Sequence, residues 1–291
     1  MPADHPADYN QLPKIPMGNN DRLGIAQASS GTPATIRVLV VATNAAVTAY
    51  GGNMQSLVQL AVAESNQGYV NSNVGITMEL AHKAADGDVD RARALVEAGG
   101  YDWEMERFRG GSVVAAGTIN DIVDLWHPEL TLEEKRERIR SYDDYTVREG
   151  SRRAVGIDGL RETLERLAAQ GFILGIATND SEAGARATAE ALGLTALFSV
   201  IIGYDSVARA KPHADQLELF AAKTGIPASA IAMVGDNGHD LEMAHAAGAG
   251  LAVGVLSGNS TLDDLASLSD AILGSIADLP DFLAGREPPR I

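Results

Sequence analysis

Met233-Val-Gly-Asp-Asn-Gly-His-Asp240 joins an apolar strand to the first turn of a helix. Two carboxylates, Asp236 and Asp240, follow the strand and stand four residues apart across that turn. Oxygen ligands placed in this way suit Mg²⁺, which takes few protein ligands and keeps waters that a phosphate group can displace. The same spacing suits a helix cap, because carboxylates stabilise the positive end of a helix. The stretch alone leaves a metal site and a helix cap equally open.

Strands and helices alternate around this stretch from Gly156 onward. Apolar, β-branched runs predict strands at residues 172–177, 200–202, 230–234 and 251–255. Segments of helical spacing, several of them closed by glycine, predict helices at residues 160–170, 182–192, 214–224 and 241–247. This alternation is typical of βαβ units, so the predicted fold class is α/β with a Rossmann-like parallel sheet. In such sheets ligands bind beyond the carboxyl ends of the strands.

Polar side chains follow two further strands at the edge where a ligand is expected. Thr178 and Asn179 come directly after one predicted strand, and Lys211 follows the next one. A hydroxyl beside free backbone N–H groups at a helix start can bind a phosphate oxygen, although it can also simply cap the helix. A lysine is a compact point charge that suits a phosphate, although most lysines before a helix are solvated. Each residue taken alone leaves both roles open.

In this order, on consecutive βα units, we expect the hydroxyl, the lysine and the carboxylate pair to converge at one edge of the sheet. Together they resemble the haloacid dehalogenase superfamily of phosphatases and mutases. Thr178 matches the second motif of that family, Lys211 the third, and Asp236 with Asp240 the fourth. Three stretches also look like its phosphoglycolate-phosphatase-like branch: Gly159-Leu-Arg-Glu-Thr-Leu, Lys211-Pro-His and Gly254-Val-Leu-Ser-Gly. The resemblance covers about residues 84–284.

The resemblance implies a Rossmann-like core with a helical cap, and Mg²⁺-dependent hydrolysis of a phosphate ester on a small phosphorylated metabolite. The residues that it assigns are Thr178, Asn179 and Lys211 for phosphate binding, Thr178 and Lys211 for catalysis, and Asp236 and Asp240 for the metal. The predicted division of the chain is a disordered tail at residues 1–35, a strand-helix-strand segment at 36–83, a helical cap at 84–152, the core at 153–285 and a second tail at 286–291.

The first motif of the family has no match in this chain. In the family an apolar strand ends in Asp-x-Asp-Gly-Thr, whose first Asp attacks phosphorus and whose second is the general acid and base. The strand predicted at residues 36–41 is followed by Ala42 where the nucleophile is expected and by Asn44 where the acid and base is expected. Loss of a nucleophile lowers turnover by about a millionfold in a well-studied protease. We therefore expect an impaired phosphatase, or a pseudo-phosphatase that binds its ligand without turning it over.

Residues 36–81 have a resemblance of their own, to the opening of reprolysin-like zinc metalloprotease domains. The zinc motif of that family is absent, because the six histidines never pair at the spacing of His-Glu-x-x-His. A metalloprotease-related function is therefore the least favoured reading. The chain is consistent with a natural fusion, an artificial chimera or an error of gene assembly. We expect residues 36–41 to complete the core sheet, since a buried parallel strand is apolar and β-branched.

Composition restricts the partners. Lys and Arg number 23 and Asp and Glu 39, which gives a formal net charge of −16. So acidic a chain repels nucleic acid and anionic membranes, and neither is an expected partner. Cysteine is absent, so the chain has no disulfide and no thiol nucleophile. No apolar run is long enough for a membrane span, and a cytoplasmic location is the expectation. The sequence predicts no oligomeric state.

Overall fold

The computed structural model describes residues 74–105, 107–154, 156–157 and 159–284. The tails predicted at residues 1–35 and 286–291 lie outside the described residues, as do the predicted strand at 36–41 and the helix after it. The same holds for Ala42 and Asn44. Their predicted place in the sheet therefore stays a prediction.

The first part of the described chain is a mainly helical cap. Its elements are α1 (Val74–Ala84), α2 (Val89–Ala98), β1 (Tyr101–Asp102), β2 (Arg107–Phe108), α3 (Val113–Ala116), α4 (Ile119–Trp126) and α5 (Leu132–Arg152). Strands β1 and β2 pair antiparallel. Thr118 and Thr131 begin α4 and α5 with capping boxes, in which side chains satisfy backbone N–H groups that the first turn leaves open. One hydrophobic cluster, which runs from Ile76 to Tyr142, holds the cap together.

The strand-helix-strand segment predicted at residues 36–83 places its second strand at Ile76–Leu80, and this prediction is wrong, because the stretch belongs to helix α1. Its apolar residues alternate with Thr77 and Glu79, which imitates a half-exposed strand. All five residues are buried, and the Glu79 carboxylate accepts hydrogen bonds from Arg153 and Tyr145. Because polar residues of α1 are buried together with apolar ones, the spacing of apolar residues that normally reveals a helix is not visible in this stretch. Because α1 packs into the hydrophobic cluster of the cap, the cap also begins before the predicted boundary.

The second part of the described chain is the α/β core. Its elements are α6 (Leu160–Ala169), β3 (Leu174–Ala177), α7 (Glu182–Ala191), β4 (Phe198–Ile202), α8 (Asp215–Thr224), β5 (Ala232–Gly235), α9 (Gly238–Ala247), β6 (Leu251–Val255), α10 (Leu262–Ala266), β7 (Ala271–Leu273) and α11 (Leu279–Ala284). The predicted strands and helices of this part are confirmed, with small shifts at their ends. Strand β7 and helices α10 and α11 were not predicted, because all three are short and carry little periodic signal.

The core strands form two parallel groups, β3 with β4 and β5 with β6 and β7. Within the described residues, β3 and β5 do not pair with each other. Both groups nevertheless contribute to the same two hydrophobic clusters, one on each face. Ile176 of β3 packs in one cluster with Val234 of β5, and Ala177 of β3 packs in the other with Met233 of β5. The two groups are therefore halves of one layer.

Helices cover both faces of this layer. Residues of α6, α7 and α11 share the cluster of Ile176, and residues of α8, α9 and α10 share the cluster of Ala177. Parallel strands covered on both faces are apolar on both sides, which explains why β3 and β6 are nearly uninterrupted apolar runs. The predicted α/β class with a parallel sheet and a cap is confirmed. None of the helices described has the length and apolar character that crossing a lipid bilayer requires.

Candidate active site

A cleft of about 670 Å³ separates the cap from the core at the carboxyl ends of the strands. Cap residues 111–121 form one wall and core residues 204–213 form the other. Lys211 and His239 reach the cleft from the segments that follow β4 and β5. A second cavity, of about 410 Å³, lies between α1 and α5 within the cap and contains none of the predicted site residues. Of the predicted site residues, Lys211 lines this cleft, and Asn179 and Asp240 lie behind it in contact with Lys211.

Lys211 lies buried next to the carboxyl end of β3. Its Nζ atom donates a hydrogen bond to Asp240 Oδ1 at 2.7 Å and another to the carbonyl oxygen of Ala177 at 3.3 Å. Both charged side chains are almost fully buried. Because the attraction between charges grows where water is excluded, this pair fixes the ammonium group at the end of the strand. The structure thus brings together Lys211 and Asp240, which are 29 residues apart in sequence.

Asp236 and Asp240 are held by backbone contacts at the start of α9. Asp236 is fully buried and accepts a hydrogen bond from the Asn259 N–H at 3.0 Å. Asp240 Oδ2 accepts one from the Asn237 N–H at 3.1 Å, which completes a capping box. A Cβ atom on Gly258 would lie 1.7 Å from Asp236 Oδ2, so only glycine permits the loop after β6 to wrap this carboxylate. Asp240 therefore has the structural role of a helix cap as well.

The donor set of this corner fits a weakly held magnesium ion. Asp236 and Asp240 supply hard carboxylate oxygens, and Mg²⁺ is commonly bound by one or two carboxylates together with water and phosphate oxygens. Within the described ranges no cluster of three or more His, Asp or Glu side chains could hold a metal. Asp240 already bonds to Lys211 and to the helix N-terminus, so Asp236 is the better placed direct ligand. The assignment of both residues to a metal stays a prediction.

Thr178 is buried directly after β3, at the beginning of the segment that leads into α7. Its N–H donates to the Ile202 carbonyl oxygen, so the strand ladder continues to this residue. Its hydroxyl oxygen accepts a hydrogen bond from the Asp180 N–H at 3.0 Å and donates to Asp180 Oδ2 over 3.4 Å. The second contact is near the outer limit for a hydrogen bond. A phosphate oxygen could therefore replace it at little cost, while Ser181 rather than Thr178 caps α7.

Asn179 joins three parts of the site. Its Nδ2 atom donates to the Ala116 carbonyl oxygen of the cap at 2.6 Å and to the Lys211 carbonyl oxygen at 3.1 Å. Its Oδ1 atom accepts a hydrogen bond from the Lys211 N–H at 3.1 Å. The side chain that was predicted to bind phosphate is thus engaged by protein backbone. This geometry favours a positioning role for the Asn179 side chain, and phosphate binding by this residue stays a prediction.

Asn179→Ala is expected to lower the free energy of unfolding by about 1–3 kcal/mol, because it leaves buried backbone groups of Lys211 without their partner. Urea denaturation of the two proteins measures the difference. Asn120→Ala is the matched control, since Asn120 is exposed at the wall of the same cleft. A loss at Asn179 no larger than the loss at Asn120 would show that the amide holds nothing in place.

The cap is joined to the core by two further contacts. His239 Nδ1 lies 3.3 Å from the same Ala116 carbonyl oxygen that Asn179 binds. The Tyr204 hydroxyl, which lines the cleft, donates a hydrogen bond to Asp143 of α5.

Burial raises the pKa of Asp143 to about 6, and the hydrogen bond from Tyr204 opposes that rise. Burial, followed by the hydrogen bond to Asp143, raises the pKa of Tyr204. His239 is partly buried in the first turn of α9.

Asp143 is expected to make the protein less stable as the pH rises. Its pKa in the folded state is about 6 against an ordinary value of 3.8, so the folded protein binds this proton more tightly. The resulting stabilisation is complete below about pH 4 and is lost as the pH passes through about 6. Asp143→Asn should remove on the order of 1–2 kcal/mol of this pH dependence, after allowance for partial exposure. Urea melts between pH 4 and pH 7 test it, and Asp144→Asn, at an exposed neighbour, should leave the slope unchanged.

Some residues of the site were not identified from the sequence. Asn237 Nδ2 is buried at the start of α9 and has no hydrogen-bond partner among the described residues. Tyr204 and His213 line the cleft. The loop after β6 contacts Asp236 through Asn259 and Gly258. The loop, Asn237 and His213 had a signal in the sequence, because they lie within or beside the quoted motifs, whereas the position of Tyr204 depends on packing between distant segments.

Comparison with known proteins supports this description of the core. The family model of haloacid dehalogenase-like hydrolases matches residues 41–248. A phosphoglycolate phosphatase of Pectobacterium atrosepticum is 36% identical over 149 residues, which are 51% of this chain and 62% of that protein. The crystal structure of a predicted phosphoglycolate phosphatase from Haemophilus somnus superposes with a TM-score of 0.54 at 25% identity. That match covers 71% of this chain and 88% of the other.

The N-terminal segment matches a different kind of protein. A peptidyl-Asp metalloendopeptidase of Stenotrophomonas maltophilia is 74% identical over 112 residues, which are 38% of this chain and 25% of that protein. The aligned length exceeds residues 36–81, to which the predicted protease resemblance was confined. This chain therefore spans a quarter of the length of the peptidase and less than two thirds of the length of the phosphatase. Both resemblances inferred from the sequence are confirmed.

Proposed function

This chain belongs to the haloacid dehalogenase-like hydrolases, and from that premise we propose that it is a phosphatase scaffold for a small phosphorylated metabolite, with turnover impaired at Ala42. Membership of the family and the similarity to phosphoglycolate phosphatases support a phosphatase-type activity. The activity, the nature of the substrate and the impairment are all parts of the proposal.

The buried ammonium of Lys211 is the observation that carries the proposal. It lies beside the carboxyl end of β3, within hydrogen-bond distance of Asp240, and it borders the cleft between cap and core. A chain with a net charge of −16 repels a phosphate in general, so a fixed cation at the strand ends is needed to attract one. Asn237 Nδ2, a buried donor at the start of α9, has no hydrogen-bond partner among the described residues, and we propose that it donates to a phosphate oxygen.

Each residue of the site has a distinct part in the proposed binding. Lys211 would offset the charge of the bound phosphate, and the hydroxyl of Thr178 would turn from Asp180 to a phosphate oxygen. Asp236 and Asp240 would hold Mg²⁺, which when bound supplies charge neutralisation for the phosphate oxygens. The cap residues across the cleft would exclude water and contact the rest of the metabolite. Substrate selection would thus depend on the cap, and phosphate binding on the core.

Impairment rests on the residues after the predicted strand at 36–41. Alanine at position 42 has no atom that can attack phosphorus, and the amide of Asn44 cannot exchange a proton in the way that a carboxylate does. A non-catalytic binding module is therefore the second candidate function. Its supporting observation is that Thr178 and Lys211, which we propose to bind phosphate, both lie buried at the carboxyl end of β3.

Binding and turnover should separate in the unmodified chain. Inorganic phosphate titrated in the presence of Mg²⁺ is expected to release or absorb measurable heat, while hydrolysis of an aryl phosphate stays at background. Asp236→Asn should weaken the phosphate binding at least about tenfold, because it removes a negative charge from the metal site. Robust hydrolysis by the unmodified chain would contradict the impairment at Ala42. Absence of phosphate binding would contradict both candidate functions.

A further inference from the structure

The cavity between α1 and α5 takes no part in the proposed phosphate site. It has a volume of about 410 Å³, and none of the predicted site residues lines it. Its walls carry four basic side chains and two carboxylates, namely His82, Lys83, Arg152, Arg153, Glu79 and Glu149. We refer to this space as the cap cavity. A ligand bound there is separate from a phosphate in the cleft between cap and core.

The cap cavity carries an excess of positive charge. Lys83, Arg152 and Arg153 outnumber the two carboxylates, even before any charge on His82 is counted. This local excess is opposite in sign to the net charge of the whole chain, which is −16. A cleft in which one sign of charge prevails concentrates ligands of the opposite sign. The charge of the cap cavity therefore favours an anionic ligand.

Both carboxylates of the cap cavity are already engaged by the protein. Glu79 accepts hydrogen bonds from the Tyr145 hydroxyl and from Arg153 Nη2, the second at 3.2 Å. Glu149 accepts one from Arg152 Nη2 and one from Arg153 Nη2, each at 2.6 Å. Hydrogen bonds between charged groups are among the strongest in proteins. The two carboxylates therefore hold the guanidinium groups in place and do not pair with the ammonium group of α1.

That ammonium group, on Lys83, forms no ion pair within the part of the chain that the structure describes. Its Nζ atom lies 3.3 Å from the centre of the Tyr145 ring, which is a cation–π contact. Burial lowers the pKa of Lys83, and the charge of Glu79 opposes that change. An oxyanion bound beside Lys83 would provide an opposite charge at closer range.

Three hydrogen-bond donors reach the cap cavity from two helices. His82 and Lys83 are neighbours near the end of α1, and Arg152 is the last residue of α5. Lys83 and Arg152 are exposed, so a ligand can reach both from solvent. An ammonium, a guanidinium and an imidazole group together suit a phosphate group, whose oxygen atoms accept hydrogen bonds from all three. A volume of about 410 Å³ also leaves room for a small organic group.

We propose that the cap cavity is a second anion site, which binds free phosphate or the phosphate group of a small metabolite between α1 and the end of α5. Lys83 and Arg152 supply the positive charge, and His82 donates a hydrogen bond. Glu79 and Glu149 position the guanidinium groups. This inference goes beyond the proposed function and does not rest on it.

The location of the cap cavity gives a bound anion a means of regulation. Helix α5 ends at Arg152, and the chain passes from there into the core, whose first helix begins at Leu160. The same helix carries Asp143, which accepts a hydrogen bond from Tyr204 at the wall of the cleft. An oxyanion that bridges α1 and the end of α5 therefore stiffens the connection between cap and core.

Sulfate and phenylphosphonate, each titrated into the full chain without Mg²⁺, are the probes. Neither contains an ester bond to hydrolyse, and only phenylphosphonate carries an organic group. Amide chemical shifts in ¹H–¹⁵N NMR spectra should change saturably at residues 79–83 and 148–153. Tighter binding of phenylphosphonate would assign the site to a phosphorylated metabolite, and equal or tighter binding of sulfate would assign it to free phosphate. Shifts confined to the core at residues 178–180 and 235–240, or no shifts, would overturn the proposal.

Lys83→Met should weaken the binding of both probes to the cap cavity at least about tenfold, because it removes a charged hydrogen-bond donor. Arg152→Met should have the same effect. Lys135→Met is the matched control, since Lys135 also lies on α5 but pairs with Asp124 and does not line the cavity. It should change the affinity less than about twofold, because salt screens distant charges. Equal affinities of the Lys83 and Lys135 variants would overturn the proposal.

Hydrogen exchange measures the stiffening of the end of α5. With a probe at about nine times its dissociation constant, amides of residues 148–152 that exchange only after the ligand leaves should exchange about tenfold more slowly. Unchanged exchange at saturation would contradict the bridging of α1 and α5. None of these measurements depends on turnover, and the shifts at the cap and at the core are read separately. Failure here is therefore distinguishable from failure of the proposed function.

Discussion

Ala42→Asp combined with Asn44→Asp is expected to raise the hydrolysis of an aryl phosphate at least about 1000-fold over the unmodified chain. The family resemblance assigns the nucleophile and the general acid and base to these positions. Removal of a nucleophile costs about a millionfold where it has been measured, so partial repair should still give a large gain. The gain should require Mg²⁺ and disappear with a chelator. Initial rates with and without the metal measure the effect.

Ala42→Asn combined with Asn44→Asp is the matched control. It places a side chain of the same size at position 42, with an amide that cannot form an acyl phosphate. This variant should remain at the background of the unmodified chain. Equal activity of the two double variants would show that position 42 does not provide the nucleophile. No gain in the aspartate variant would contradict the assignment of the catalytic positions.

Lys211→Met is expected to lower the free energy of unfolding by about 3–5 kcal/mol. The substitution keeps much of the volume of the side chain but removes the cation next to the buried carboxylate of Asp240. A buried charge that loses its opposite charge is one of the most destabilising changes in a protein interior. Urea denaturation at pH 7 provides the measurement, with the slope of the transition as a check on two-state unfolding.

The double variant Lys211→Met with Asp240→Asn should recover part of this loss. An asparagine keeps an oxygen that can accept the bond from the Asn237 N–H, and it carries no charge that needs compensation. Arg209→Met is the control for loss of a cation, because Arg209 is exposed and pairs with Asp215 at the surface. It should change stability little, since water screens surface pairs. A double variant as unstable as the sum of its parts would show that the two charges do not interact.

Local signals in the sequence were sufficient to predict most helices and strands of the core and some helices of the cap. Thr131 and Glu134 predict a capping box, and helix α5 begins there because these two side chains bond to each other's backbone N–H groups. The run at residues 251–255 predicts a strand because it is apolar without interruption, as both-sided burial requires. These features depend on residues close together in the chain, so the sequence displays them directly.

Helix α1 shows where such signals fail. Glu79 is buried because Arg153, 74 residues later in the chain, supplies its opposite charge. No periodic pattern around Glu79 announces a partner at that distance, and the alternation of apolar and polar residues favoured a strand instead. The role of the Asn179 side chain has the same origin, since its partners Ala116 and Lys211 lie 63 and 32 residues away.

The sequence by itself determined the alternation of strands and helices, the polar residues at the strand ends and the family to which they point. Short-range hydrogen bonding and hydrophobic period control those features, and both can be read along the chain. Only the tertiary structure decided that Lys211 pairs with Asp240 and that Asn179 joins the cap to the core. These depend on contacts between distant segments, whose free energy comes from burial and charge pairing that no local pattern encodes.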